Sequence, residues 1–406
     1  MPHPAHHGDD PPPQAVVGGP HRGGRGLGDG HAEQGALLQD LVHVHDDQPA
    51  GRLQQVRQQV RLARARSPRE QAQRPPPGHE PIFHAGDPSE PATSPDPRLD
   101  LDPASGLHHR LVSTSQQPPL GRFHQVDGRR LLLHRSGAGG PAVVFLPGAS
   151  AFGLDYLNIH ERVSAFTTSV LYDRAGTGWS DPAELPRTAA EVATELRDLL
   201  RAADVPGPYV LVAHSLGGAY ARRFLQLFPG EVAGVVYLDA FNEDWDVHMA
   251  DERLRLKPQP VPGGLTLRLV TLLAGGQYRK MLAGWPREVR DALLARHLTV
   301  GSQRAGAQER GDLPELATEI KAAGPVPGRP LLAFTALGVD PAMRLMMPRK
   351  TLAAMGDGKL RLGEALAASV PEGEHRVLEK ARHSTICTDE PDAVLRGVRD
   401  LWQRVR

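Results

Sequence analysis

Cysteine is nearly absent from this chain of 406 residues, Cys387 being the only one. A lone thiol closes no internal disulfide and supports no cysteine-based metal cluster. Net charge is absent too: 47 basic side chains meet 47 acidic ones. No one-sign surface field is built in, which argues against a dedicated nucleic-acid binder. No apolar run approaches the ~18 residues a membrane span requires, and the first residues hold no apolar signal-peptide core. The expectation is a soluble, cytoplasmic protein without a membrane span.

Aromatics are sparse and unevenly spread. Of 19, only Phe83 falls within residues 1–120, which hold 19 of the 38 prolines and 11 of the 19 histidines. Such a segment has too little apolar surface to offset the entropy of ordering its backbone, and it reads as disordered, apart from a transient helix over 51–66. Its PPP tracts at 11–13 and 75–77 and the GGPHRGGRGLGDG stretch at 18–30 are rich in breakers. Arginine outnumbers lysine 41 to 6, as in a GC-rich coding sequence, and much of the segment is expected to be a start-site artefact. His6, His7, His43 and His45, near Asp46 and Asp47, are metal-binding residue types, but without a folded framework they read as solvated low-complexity sequence. The glycine-rich SGAGGPA at 136–142 leads into a strand rather than a helix, so it is not a dinucleotide loop.

From residue 121 the pattern changes. FHQV (123–126) and RLLLHR (130–135) flank Asp127-Gly128, a strong hairpin signal. Short apolar runs follow: AVVFL (142–146), SVLY (169–172), YVLVA (209–213), VAGVVYL (232–238), LLAFT (331–335) and HRVLE (375–379). Continuous apolar runs suit strands buried on both faces of a mainly parallel sheet. Helical spacing fills the gaps. Thr188 and Glu191 form a capping box ahead of Val192, Leu196, Leu199 and Leu200, and Val394, Leu395, Val398, Leu401 and Trp402 share one face of a terminal helix. The alternation implies an α/β fold. Between 241 and 329 it stops, and a helical, proline-punctuated insertion is expected as a cap. Within it, WPREVRDALLARHL (285–298) begins a helix whose Val289, Leu293, Leu294 and Leu298 face either the core or a cavity.

YVLVA runs directly into His214-Ser215-Leu216-Gly217-Gly218 and then into a helix-compatible stretch. A serine hydroxyl needs a base within reach to become a nucleophile, and a tight strand-to-helix turn lifts it clear of the sheet. Small residues two before and two after, here Ala213 and Gly217, permit that turn. The Gly-x-Ser-x-Gly elbow thus has alanine in its first place, which keeps the steric logic. The Leu216 amide, at a helix N-terminus, can aim at a developing oxyanion. The bland alternative is a serine that merely caps the helix. His214, beside it, reads as a packing or pocket-wall residue.

These segments resemble the α/β-hydrolase family in order along the chain: LPGAS (146–150), YDRAGTGWSD (172–181), AHSLGG (213–218) and ARHSTICTDEPDAV (381–394). The resemblance covers residues 121–406 and implies an α/β-hydrolase fold, a mainly parallel central sheet flanked by helices with a helical cap insertion. It also implies Ser215 as nucleophile, His383 as base, the Ala149 amide as second oxyanion donor, and a supporting role for Asp173 and Arg174 beneath that turn. For the acid, two aspartates end strands. Asp340 follows the penultimate strand, where most relatives keep it, and is favoured; Asp239 ends the preceding strand and is the alternative.

The activity so implied is serine hydrolysis of an ester or related small-molecule acyl substrate through an acyl-enzyme, with no cofactor and no metal. Hydrolysis should rise with pH through about 6.5, the reference histidine value. Two rivals stay open: cofactor-free, haloperoxidase-like perhydrolysis by the same triad, and a non-catalytic ligand-binding or interaction module.

Overall fold

The structure, a computed structural model, describes residues 117–406. The expectations for residues 1–116, including the disordered segment, the helix over 51–66 and the histidine cluster, lie outside the described residues.

Eight strands form one sheet: β1 (Arg122–Val126), β2 (Arg129–Ser136), β3 (Ala142–Leu146), β4 (Ser169–Tyr172), β5 (Tyr209–His214), β6 (Val232–Leu238), β7 (Leu331–Gly338) and β8 (Gly373–Arg382). Their spatial order is β1-β2-β4-β3-β5-β6-β7-β8. The β1–β2 and β2–β4 pairs are antiparallel and the other five pairs are parallel. Asp127 and Gly128 both have positive φ (47° and 77°), the backbone of the two-residue hairpin turn that Asp-Gly favours.

The helices are α1 (Leu157–Val163), α2 (Ala189–Ala202), α3 (Gly217–Leu227), α4 (Gly264–Met281), α5 (Arg287–His297), α6 (Val300–Arg310), α7 (Leu313–Ala322), α8 (Pro341–Met346), α9 (Arg349–Ala368) and α10 (Pro391–Val405), with a few single turns between them. Why the central strands read as unbroken apolar runs is visible in β3. Ala142, Val144 and Leu146 pack with α2 and α3 on one face, whereas Val143 and Phe145 pack with α1 and α10 on the other. Both faces are covered, so no position needs a polar side chain.

The predicted caps and stripes form. Thr188 Oγ1 accepts from the Glu191 amide (3.2 Å) while the Glu191 carboxylate accepts from the Thr188 amide (3.0 Å). On α10, Val394, Val398 and Leu401 are fully buried, and truncating Leu401 to alanine would cost about 2–5 kcal/mol.

Between β6 and β7 the chain is helical, carrying α4 to α7. Val289 and Leu293 of α5 join the core cluster that holds α1 and α10, so this helix packs inward through them.

Candidate active site

Ser215 leaves β5 in left-handed backbone (φ 51°), a conformation unfavourable for a residue with a side chain. The strain is held by its surroundings. The Ser215 amide donates to the Leu238 carbonyl (3.3 Å), and its own carbonyl accepts from the amides of Phe241 (2.8 Å) and Gly218 (2.9 Å). Gly217 is required: a Cβ there would stand 2.2 Å from the Leu146 carbonyl oxygen. The turn therefore tucks the start of α3 against the end of β3 and leaves the hydroxyl half-exposed.

The structure brings Ser215 and His383 together: His383 Nε2 is 3.0 Å from Ser215 Oγ. On the other side of the ring, Nδ1 is 2.7 Å from Asp239 Oδ2. The carboxylate that meets the imidazole is thus the alternative, Asp239, and not the favoured Asp340. The reason is register. β7 runs on to Gly338, which pairs with Arg382, so Asp340 emerges beside Ser384, whose Oγ and amide both donate to it. Asp239 instead turns directly off β6 in left-handed backbone (φ 46°), its amide tied to the Phe334 carbonyl (2.9 Å).

Asp239 has two further partners that the sequence did not single out. Its Oδ1 accepts from the Ala336 amide (3.1 Å), and Lys359 Nζ of α9 lies 2.7 Å from Oδ2. Burial alone would raise the carboxyl, but the Lys359 ammonium and the His383 hydrogen bond bring it down to about 2. It is ionised across the physiological range.

The turn after β3 lies against the serine. A Cβ on Gly148 would sit 3.0 Å from Ser215 Cβ, so glycine allows the close approach. Arg174 fastens this turn from beneath, donating to the carbonyls of Pro147 (2.7 Å) and Gly148 (2.9 Å). Its charge is met by Glu309 of α6 (2.7 Å), and both side chains are almost wholly buried. Glu309 also accepts from the Ser150 amide (3.2 Å), joining the turn to the helical insertion. Asp173 accepts from the Gly153 and Trp179 amides (2.8 Å each). Among the described residues, the Ala149 and Leu216 amides donate to no protein group.

His214 does more than pack. The Gly148 amide donates to Tyr156 Oη (3.2 Å), which lies 2.7 Å from His214 Nδ1, and His214 Nε2 lies 2.9 Å from the His383 carbonyl oxygen. A carbonyl only accepts, so Nε2 carries the proton and Nδ1 accepts from the tyrosine. Burial, then the neighbouring His383, brings the His214 imidazole down to about 3, which keeps this neutral tautomer. One continuous chain of hydrogen bonds links the turn after β3, the elbow and the loop of His383. No local motif announces Tyr156, Glu309 or Lys359, which reach the site across long sequence separations; Lys359 is one of only six lysines.

Two cavities meet at Ser215. The first, about 320 Å³, runs past Gly148, Tyr278 and Ile386. The second, about 350 Å³, is walled by Phe241, Trp245, Leu254, Leu256, Leu313 and Met343. Cys387 lines the first, and burial pushes its thiol up to about 12, which keeps it protonated and unreactive. Among the described residues no three His, Cys, Asp or Glu side chains are grouped to hold a metal ion, and no helix is long and apolar enough to cross a membrane.

Comparison with known proteins places the fold that carries this geometry. Residues 143–396 match the alpha/beta hydrolase family. An uncharacterized protein of Schizosaccharomyces pombe is 44% identical over 83 residues, 20% of this chain and 16% of that protein. An uncharacterized protein of Mycobacterium tuberculosis is 29% identical over 167 residues, 41% of this chain and 48% of that one. The chain thus spans less than half the length of these curated relatives. Among solved structures, a putative acyltransferase from Salmonella enterica superposes with a TM-score of 0.54 at 14% identity, covering 71% of this chain and 97% of the other. With the family match extending over more than half its length, the chain belongs to the alpha/beta hydrolase family.

Proposed function

We propose that the protein is a serine hydrolase that cleaves an ester or related acyl bond of a small molecule through an acyl-enzyme. The observation that carries this reading is the unbroken line from Ser215 Oγ to His383 (3.0 Å) and from His383 to the ionised Asp239 (2.7 Å). Neutral His383 takes the serine proton at Nε2 while Nδ1–H donates to Asp239, which fixes the tautomer and offsets the charge of the imidazolium. The serine oxygen attacks the substrate carbonyl. The developing oxyanion lies between the free Ala149 and Leu216 amides, each such donor being worth roughly a hundred-fold or more in rate. His383 then protonates the leaving group, and water drawn to the same imidazole cleaves the acyl-enzyme.

In this reading Asp239, rather than Asp340, is the acid, and the helical insertion over 241–329 acts as a cap that walls the substrate cavities. The test is a fluorophosphonate probe with a p-nitrophenyl ester series. Labelling and turnover are expected for the wild type and not for Ser215→Ala. A wild-type protein that neither labels nor turns over any ester would instead be a binding module.

A further inference from the structure

The second cavity combines an apolar wall with an excess of positive charge. Arg255, Lys257, Arg310, Lys359 and Asp239 are its charged lining residues. Asp239 is already committed to Lys359 and His383. Of the carboxylates in this part of the chain, Glu309 pairs with Arg174, Glu243 with Arg222, Asp244 with Lys321 and Asp251 with Arg253, while Asp246 accepts from the Leu256 amide (2.8 Å). Among the described residues, Arg255, Lys257 and Arg310 form no ion pair.

Arg310 is the most telling of the three. It ends α6 immediately after Glu309, lines both cavities together with Ala149, Ser215 and His383, and keeps an exposed side chain. Its Nη1 donates to Ser150 Oγ (2.7 Å), which holds the fork beside the turn and leaves its other N–H groups free. The protein atoms around it press the guanidinium below its ordinary value, yet an arginine stays charged at any physiological pH. Glu309, next to it in sequence, offsets part of that effect but forms its ion pair with Arg174, so the free N–H groups of Arg310 at the cavity wall are placed to meet an anionic group of a ligand. Arg255 and Lys257, exposed on either side of Leu256, add charge at the same cavity.

We infer that the substrate is an acyl ester carrying a carboxylate beyond an apolar segment, with Arg310 as the group that receives the carboxylate and the Leu254, Leu313 and Met343 wall taking the apolar part. This assignment rests on the serine-hydrolase reading of the same site, and its chemistry allows the carboxylate on the acyl side or on the leaving-group side.

The experiment measures two ratios of kcat/KM: mono-p-nitrophenyl adipate against p-nitrophenyl hexanoate, and 4-(hexanoyloxy)benzoate against phenyl hexanoate. Each pair differs by a carboxylate. The charged member of at least one pair should be favoured about ten-fold or more at low salt, the scale of one charge-assisted hydrogen bond, with the preference shrinking as salt rises. Arg310→Gln should bring that ratio to near unity, and Arg310→Lys should restore part of it. A ratio near one in both pairs overturns the proposal. So does a ratio that survives Arg310→Gln, or equal losses on both members, which would mean that Arg310 acts only through Ser150. Because each ratio is read within one variant, a partial loss of folded protein cancels.

Calorimetric titration of Ser215→Ala with mono-p-nitrophenyl adipate, 4-(hexanoyloxy)benzoate and their uncharged counterparts separates the two claims. Tighter binding of a charged ester without probe labelling of the wild type supports the carboxylate site and sinks the hydrolase reading. Labelling with equal affinities within both pairs sinks the carboxylate site alone.

Discussion

The loops that leave β6 and β7 begin alike and finish differently. Each carries an aspartate just past a parallel strand, Asp239 and Asp340, and both carboxylates reach the segment His383–Ser384. Asp239 turns at once in left-handed backbone, φ 46°, and meets an imidazole and an ammonium. Asp340 follows two residues after its strand in ordinary backbone, φ −60°, and meets a hydroxyl and an amide. A carboxylate opposite His383 can answer a charge that appears during a reaction. One opposite Ser384 only ties two loops together. What a strand-end acid does is decided by the residue that register sets against it.

The largest expected effect tests that contrast directly. Asp239→Asn keeps the shape but lets an amide face Nδ1, so His383 loses the anion that fixes its tautomer, and kcat should fall by a factor on the order of 10³–10⁴. Asp340→Asn removes one loop tie and should cost less than about ten-fold, with a loss of about 1–2 kcal/mol in stability from the weakened hydrogen bonds. Steady-state kinetics on one ester with both variants decides. Comparable losses would abolish the distinction drawn between the two loops.

A third carboxylate sharpens the comparison because it too bridges distant segments, but as a buried ion pair. Glu309→Gln leaves the Arg174 guanidinium, 1% exposed, facing a neutral amide, and should destabilise the fold by about 3–5 kcal/mol in urea unfolding. A double replacement, Arg174→Met with Glu309→Leu, should recover much of that loss by removing both charges. A double variant less stable than Glu309→Gln alone would show that the hydrogen bonds of Arg174 to Pro147 and Gly148, rather than its charge balance, govern the turn.

The sequence carries the frame of this molecule more openly than its chemistry. The two-sided burial of β3, β5 and β6 demands apolar side chains at nearly every position, so those strands stand out in any local window. Asp127-Gly128 and the Thr188–Glu191 capping box are likewise complete within a few residues. Ser215 is legible because its turn needs small neighbours on both sides. The partner of His383 is not, since it depends on how far β7 runs before Gly338 meets Arg382, a long-range register with no local signature. The same holds for Tyr156, which reaches His214 across 58 positions, and for Arg174, which reaches Glu309 across 135. Compatible residue types can be named from sequence, but their pairing is a property of the packed sheet.

Lys359 supplies the smallest and most specific test of the difference between the two aspartates, because it touches Asp239 Oδ2, whereas among the described residues Asp340 is in no ion pair and feels the Arg382 charge only at longer range. With its carboxyl depressed to about 2 in the folded protein, Asp239 contributes stability that is fully present above the unfolded value near 3.9 and is lost as pH falls through about 2. Lys359→Met keeps the bulk at a site only 10% exposed, removes the ammonium and lets that carboxyl rise toward its ordinary value. The stability gap between wild type and Lys359→Met should therefore reach at most about 2 kcal/mol at pH 5–7, narrow below about pH 4 and close toward pH 2. Urea midpoints at pH 7, 5, 4 and 3 measure it. A gap that stays constant across those four points would mean that Lys359 acts through packing of α9 alone, and that the two loops differ in their contact with His383 but not in the charge they hold.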